Sequence, residues 1–577
     1  MNESQALGRG SRAMKRALAG TAALALATAL AAVGQSGIAT AEAASPGEPK
    51  DPKVVFTEDF ENDQGATPIL VTDYTGAAPI GQTYDADPAW LTGCNGWITS
   101  LQQPGTGPAG AGCGNWWTSA QQMAGALGQW AGGDKAKNHA VTAYTSGNPG
   151  ANKTQLETRK PVDVGAAGRF LTFSVDVAEV NCYAEHAKLG FYLLDGDKAV
   201  PTFTTPIDPC SNPGGTVNGV PVGTYTSNGP VLFDGSTLGL RLVNFQGSGY
   251  GNDAAFDNVR VLDVTPQLDV AFDPGQVEVG GTSTMTLRVT NTSELAVKKG
   301  WSFTERLPDG LTLTGAPPVT DCADATVTAV SGGGKIGVTG TLAAGAKSCG
   351  VTVKVTSARA ATYTVCAEDV VEHAGVNLPE CARVRFVPPV LVFDAHAHGG
   401  RVTAPLIDIA PLAPSDLSCR EAAGDDRHKL LSAGLGQLGS LGVIDTRATG
   451  AVDPDGRRTA TASATTSKLS LLAGLVTADE ITAFARARGD DAGRVTADGK
   501  VDITNLKVNG VKITDLKTDL TIDVPLVAKV VINEQVRTGG GGGIKVNAIH
   551  IRTLAGVDII VGHARASLIR PGQACPA

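Results

Sequence analysis

What most constrains this chain is a period-two alternation of apolar and polar residues, interrupted at short intervals by Gly, Pro, Asn or Asp. Met285, Leu287 and Val289 alternate with Thr284, Thr286, Arg288 and Thr290, and Val351, Val353 and Val355 with Thr352, Lys354 and Thr356. Leu171, Phe173, Val175 and Val177 repeat the pattern, as do Leu189, Phe191 and Leu193. Successive side chains of a strand point to opposite faces, so each such segment buries one face and wets the other. Later pairs, Val501/Ile503, Val511/Ile513 and Ile522/Val524, lie among Asn-Gly and Asp-Gly turns. Glycine fills 72 of 577 positions, which supplies the turns such short strands need. The expectation is an all-β chain, and its length requires several β-sandwiches rather than one core.

The N-terminus reads as an export leader. Arg9, Arg12, Lys15 and Arg16 precede an Ala/Leu stretch from Ala17 to Val33, and Ala39-Thr40-Ala41 is a small-x-small exit. That order is a signal peptide, 1–41, removed on export. No later stretch reaches the ~18 apolar residues a spanning helix needs. No Leu-Pro-x-Thr-Gly sorting phrase occurs near the end, so covalent surface attachment is not expected. Net charge is −9 with no basic run in the body of the chain, which excludes a nucleic-acid partner.

All ten cysteines follow the leader, an even number that suggests disulfides in an exported chain. Zinc is the alternative, but no Cys-x-x-Cys pair is present and the chain has only eight His. After a polar linker, 42–53, the strand pattern divides at Pro266 and at the stiff Phe386-Val-Pro-Pro-Val390 hinge. The expected units are 54–264, 265–388 and 391–577, and each then contains an even number of cysteines. The expected pairs are Cys94–Cys113, Cys182–Cys210, Cys322–Cys349, Cys366–Cys381 and Cys419–Cys575.

Three resemblances follow from particular phrases. Leu287-Arg-Val-Thr-Asn-Thr292, Phe303-Thr-Glu-Arg-Leu-Pro-Asp-Gly-Leu311, Gly340-Thr-Leu-Ala-Ala-Gly345 and Ser348-Cys349 resemble the Ig-like repeat of bacterial surface proteins. That resemblance implies a spacer. Leu475-Val-Thr-Ala-Asp479, Ile532-Asn-Glu-Gln535, Lys545-Val-Asn-Ala-Ile-His550 and Ile559-Ile-Val-Gly-His-Ala564 resemble the bacterial choice-of-anchor P family. Its members are exported, and it implies a location more than an activity. Phe56-Thr-Glu-Asp-Phe-Glu61 and Ala255-Phe-Asp-Asn-Val-Arg-Val261 resemble the opening and closing strands of jelly-roll modules in carbohydrate-binding and adhesive proteins.

Five of the six Trp lie between 90 and 130: Trp90, Trp97, Trp116, Trp117 and Trp130. Indole rings stack on apolar sugar faces, with Asn95, Asn115, Tyr84 and Asp87 nearby to meet hydroxyls. The alternative is a Trp-filled core beside a Cys94–Cys113 loop. Trp116 and Trp117 cannot both point inward on a regular strand, so one is the better candidate for exposure. Glu58 and Asp257, on the opening and closing strands, are candidate ligands of a structural Ca²⁺. Asp394-Ala-His396-Ala-His398 imitates the first metal strand of an amidohydrolase barrel. Such a barrel takes about 250 residues, more than remain, so these histidines read as surface residues. No nucleophile elbow, His-Glu-x-x-His or phosphate loop is present. The reading is an exported, non-enzymatic envelope or extracellular protein with a structural or adhesive role. Its expected partner is an envelope polysaccharide or a surface protein. The alternative is a carbohydrate-binding protein acting on cell-wall or environmental polysaccharide.

Overall fold

Residues 53–263 form two facing sheets in the computed structural model, which describes residues 46–108, 111–405, 407–539, 542–570 and 573. The expected leader, 1–41, and the beginning of the linker lie outside the described residues. The larger sheet runs in the order 215–217, 220–226, 169–180, 253–263, 140–142, 97–99, 69–70. The opening strand Lys53–Glu58 pairs antiparallel with the closing strand Asp253–Asp263, with Glu58 opposite Val259. The second sheet runs 198–201, 189–195, 237–244, 153–158, 84–85. Between them lies an aromatic core of Phe60, Tyr74, Tyr84, Trp90, Phe173, Phe191 and Phe256.

One element departs from the strand pattern. Trp117–Trp130 is an α-helix lying on the outer face of the larger sheet. Met123, Ala124 and Leu127 recur at helical spacing and meet Ala140, Ala178, Val222 and Ala255. A Cβ at Gly128 would stand 2.4 Å from Asn138 Cβ, so this close approach needs glycine despite its helix penalty of about 1 kcal/mol.

Residues 267–387 build a second sandwich from five-, four- and three-stranded sheets around Met285, Leu287, Trp301, Phe303 and Val353. Phe170 and Val264 of the first unit are part of the same core. Asn377 Nδ2 donates to Thr265 O at 2.9 Å, so the boundary near 265 runs through packed structure. Residues 46–52, read as linker, lie along this sandwich: Ser293 N donates to Lys50 O at 2.8 Å and Gly47 N to Thr290 Oγ1 at 3.1 Å.

Residues 392–569 form a seven-stranded and a nine-stranded sheet. Their shared core is small: Ala448, Ala460, Ala462, Ala464, Ala483, Ala485 and Ala487 meet Val546, Ala548, Ala564 and Ala566. The Asn509-Gly510 turn has positive φ at both residues, 51° and 76°, which closes the hairpin 507–512. Asp453 and Asp490 each cap a turn by accepting the backbone N–H groups two and four residues on. The strands are antiparallel throughout this unit, so no amidohydrolase barrel exists here.

The chain is therefore all-β and multidomain, with antiparallel sandwiches as its architecture. Four expected disulfides form, Cys94–Cys113, Cys182–Cys210, Cys322–Cys349 and Cys366–Cys381, with Cα–Cα distances of 5.0, 5.4, 4.9 and 4.1 Å. Cys419 is also disulfide-bonded. The expected pair Cys419–Cys575 ends at a residue outside the described ones.

Candidate functional site

The tryptophans separate into core and surface. Trp90 and Trp117 are 2% and 0% exposed. Trp117 begins the helix, points into the disulfide-lined pocket of Cys94 and Cys113, and donates Nε1–H to Pro104 O at 3.1 Å. Trp97 is half-buried edge-on to it at 6.2 Å. Trp130 is half-buried and donates to Thr224 Oγ1 at 2.9 Å. Asn95 is buried, and Tyr84 is in the core on Glu58. Trp90, Trp117, Asn95 and Tyr84 thus cannot present a platform, because each is spent on packing. Asn115 is exposed, and Trp116 is 58% exposed. One of the Trp pair does point outward, although from a helix start and not from a strand.

Trp116 stacks on Tyr144, with ring centroids 5.1 Å apart and planes 14° from parallel. A second pair, Tyr183 and Tyr250, lies 5.3 Å apart with both rings more than half exposed. Asn181 joins the two pairs. Its Nδ2 donates to Tyr144 Oη and to Asp253 Oδ2, both at 2.9 Å. Asp253 Oδ1 accepts from Thr145 N at 2.8 Å, and burial raises this carboxyl to about 6.

The loops that carry these rings are pinned. Cys94–Cys113 holds the segment before Trp116, and Tyr144 N donates to Cys94 O. Cys182–Cys210 holds the Tyr183 loop, and Glu185 N donates to Tyr250 O at 3.2 Å. Gly251 has φ +96°, and a Cβ there would lie 2.5 Å from Asn181 O, so only glycine lets the Tyr250 loop approach this closely. The result is an aromatic surface at one rim of the first sandwich, with polar Asn181 and Asp253 between its two halves. Tyr183 and Tyr250 escaped the sequence reading. Their available signals were Tyr183 beside Cys182 and Tyr250 between two glycines.

Glu58 and Asp257 do sit on paired strands, but each carboxylate is engaged separately. Glu58 accepts from Tyr84 Oη at 2.6 Å, Tyr74 Oη at 2.9 Å and Phe60 N at 3.0 Å. Asp257 accepts from Asn138 Nδ2 at 2.8 Å and Asn258 N at 2.7 Å. Burial raises the pKa of both, and the hydrogen bonds each accepts act the other way. Among the described residues, Glu179, His186 and Cys210 bring ligand atoms within 4.8 Å of one another. Cys210 is bonded to Cys182 and offers no thiolate, Glu179 accepts from two backbone N–H groups, and His186 pairs with Asp208 at 2.9 Å. Asp87, expected near the Trp cluster, pairs with Lys153 at 3.0 Å.

Fold and site together define a disulfide-stapled, multidomain all-β protein of the kind built in oxidising compartments. Among the described residues no helix is long and apolar enough to cross a membrane. Residues 266–383 match a family described as a domain of unknown function, DUF7933. No curated protein matches the chain. A crystal structure of a protein of unknown function from Bacteroides ovatus is similar at 8% identity, over 54% of this chain and 95% of that one, with a TM-score of 0.13. At that score it carries no argument.

Proposed function

We propose that this is an exported, non-enzymatic envelope or extracellular protein whose first unit binds polysaccharide and whose other units present it. One observation carries the reading: the exposed Trp116/Tyr144 and Tyr183/Tyr250 pairs on disulfide-pinned loops. Exposed aromatic faces lose little entropy on binding and match the apolar faces of sugar rings, while Asn115 and Asn181 supply groups for hydroxyls. The second unit then acts as a spacer, and the third as the anchor-family domain its phrases resemble.

The test is retention of the purified chain on insoluble polysaccharides and isolated cell walls. Trp116→Ala and Tyr250→Ala are expected to abolish retention with the melting temperature unchanged. Retention equal to that of the unaltered chain in both variants would overturn the reading. Absence of retention by the unaltered chain would move the partner to a surface protein.

A further inference from the structure

The third unit carries a group of histidines that the recognition surface does not use. On strand Val392–Ala404, Phe393, Ala395 and Ala397 belong to the sandwich core, so the period-two pleat turns Asp394, His396 and His398 to the other face. His398 lies directly opposite His563 on the neighbouring strand Asp558–Ile569. The ring centroids of His398 and His563 are 4.5 Å apart, and His396 is 5.8 Å from each. His396 and His398 were expected at the surface. Instead His398 is 5% exposed, and His396 and His563 are half-buried.

Two features of this group are unexplained by packing. The Nδ1 atoms of His396 and His398 are buried without a hydrogen-bond partner, which folded chains normally avoid. His563 is instead oriented by a relay. Its Nδ1 lies 2.7 Å from Asn547 Oδ1, and Asn547 Nδ2 donates to Glu534 Oε2 at 2.5 Å. Glu534 can only accept, so the amide orientation is set and His563 must donate through Nδ1. Its Nε2 is left with the lone pair. A hydrogen bond of this sort from the far nitrogen is what fixes tautomer and direction in metal-binding histidines.

The charges around the group keep the rings neutral. Burial is the main cause for all three, and it holds His398 down to about 3. The neighbouring histidines, Arg401, Lys545 and Arg565 act in the same direction. Asp394 and Asp416 face His396 and oppose them, and Asp394 also pairs with Arg565 at 3.3 Å.

We propose that His396, His398 and His563 bind a divalent transition-metal ion of the zinc, nickel and copper class. Nitrogen ligands about 2.0–2.1 Å from zinc in tetrahedral geometry set ring centroids about 5 Å apart, which the observed 4.5 and 5.8 Å bracket. Among the described residues the three rings do not bring their nitrogens within 4.8 Å of one another, and His398 and His563 lie parallel at 10°. Coordination turns the rings about Cβ–Cγ, and at His396 and His398 no Nδ1 hydrogen bond is lost in doing so. Imidazole suits this class of ion, whereas Mg²⁺ and Ca²⁺ take oxygen. Three nitrogens leave a fourth position for water or an outside ligand.

The test uses the purified chain, tag-free and stripped with chelator, titrated calorimetrically with Zn²⁺ and Ni²⁺, with Mg²⁺ as control. One equivalent of Zn²⁺ is expected. His398→Gln and His563→Gln should weaken it at least about tenfold, and Asn547→Leu about 10–100-fold. His428→Gln, at an exposed histidine, should leave it unchanged. Absence of a stoichiometric ion, or equal affinity in the His398 and His563 variants, overturns the proposal. If a histidine variant does not fold, the Co²⁺ spectrum of the unaltered chain decides. Intense visible bands of a tetrahedral nitrogen site support the proposal, and a pale octahedral spectrum overturns it.

Discussion

The first and third units both sandwich two sheets, yet they fill the space between them with opposite kinds of residue. The first uses large rings: Phe60, Tyr74, Tyr84, Phe173, Phe191 and Phe256 interlock at centroid distances of 4.6–6.3 Å. The third uses a ladder of alanines, Ala460, Ala462, Ala464 against Ala483, Ala485, Ala487, with few rings. A thick aromatic core can admit a carboxylate such as Glu58 beneath its tyrosines, and it leaves recognition to the loops at the rim. The third unit's alanines share their core with Leu, Ile and Val, and its histidines sit on the outward face of one sheet.

The sharpest test of this contrast is to substitute each core against its type. Phe173→Ala should destabilise the first unit by about 3–5 kcal/mol, since a ring is removed and its cavity remains. Ala485→Leu should cost the third unit about 1–3 kcal/mol through overpacking. Hydrogen exchange read unit by unit separates the two, and a larger loss at Ala485 would break the comparison.

Next in size is the staple of the aromatic rim. Replacing Cys94 and Cys113 together by Ser should lower stability by about 2–4 kcal/mol and weaken polysaccharide retention as the Trp116 segment is released. Unchanged retention would separate the disulfide from recognition.

The buried acids give a pH test that again divides the units. Glu179 and Glu305 are held up to about 8, chiefly by burial. The folded chain keeps protons there that the unfolded chain releases. Their contribution is complete below about 4.5 and is lost as pH rises through about 8. Glu534 in the third unit is held down to about 2, chiefly by its bond to His550. Its contribution is present above about 4.5 and is lost as pH falls through about 2. Melting temperatures across this range should show the first and second units weakening toward alkali, and Glu305→Met should flatten the second unit's share. The third unit should weaken first in acid, and Glu534→Gln should remove that slope.

The smallest expected effect is at the exposed ring. Trp116→Ala should change stability by less than about 1 kcal/mol, because only its stack on Tyr144 is lost. A drop of several kcal/mol would make Trp116 part of the core after all.

Much of the architecture was legible because its causes are local. Period-two patterns at 284–290 and 351–356 became paired strands with Met285 opposite Val353. Four disulfides joined cysteines that are neighbours in sequence, separated by 15 to 28 residues. The helix 117–130 was not legible as one, because Gly125 and Gly128 weaken the helical signal and its burial depends on Ala140, Ala178 and Ala255 of distant strands. The candidate surface was half legible. Tryptophan clustering pointed to the right loop, while burial removed Trp90 and Trp117 from it.

By itself the sequence determined the strand class, the turn positions and the short-range disulfides, since pleat, turn dihedrals and cysteine spacing act over a few to some thirty residues. Tertiary structure alone decided which aromatic rings face water and what stands beside them. Tyr144, Tyr183 and Tyr250 meet only because three loops end at one rim. His398 meets His563 only because two strands far apart in the chain pair in that register. Burial and pairing are properties of the packed chain, and no local pattern encodes them.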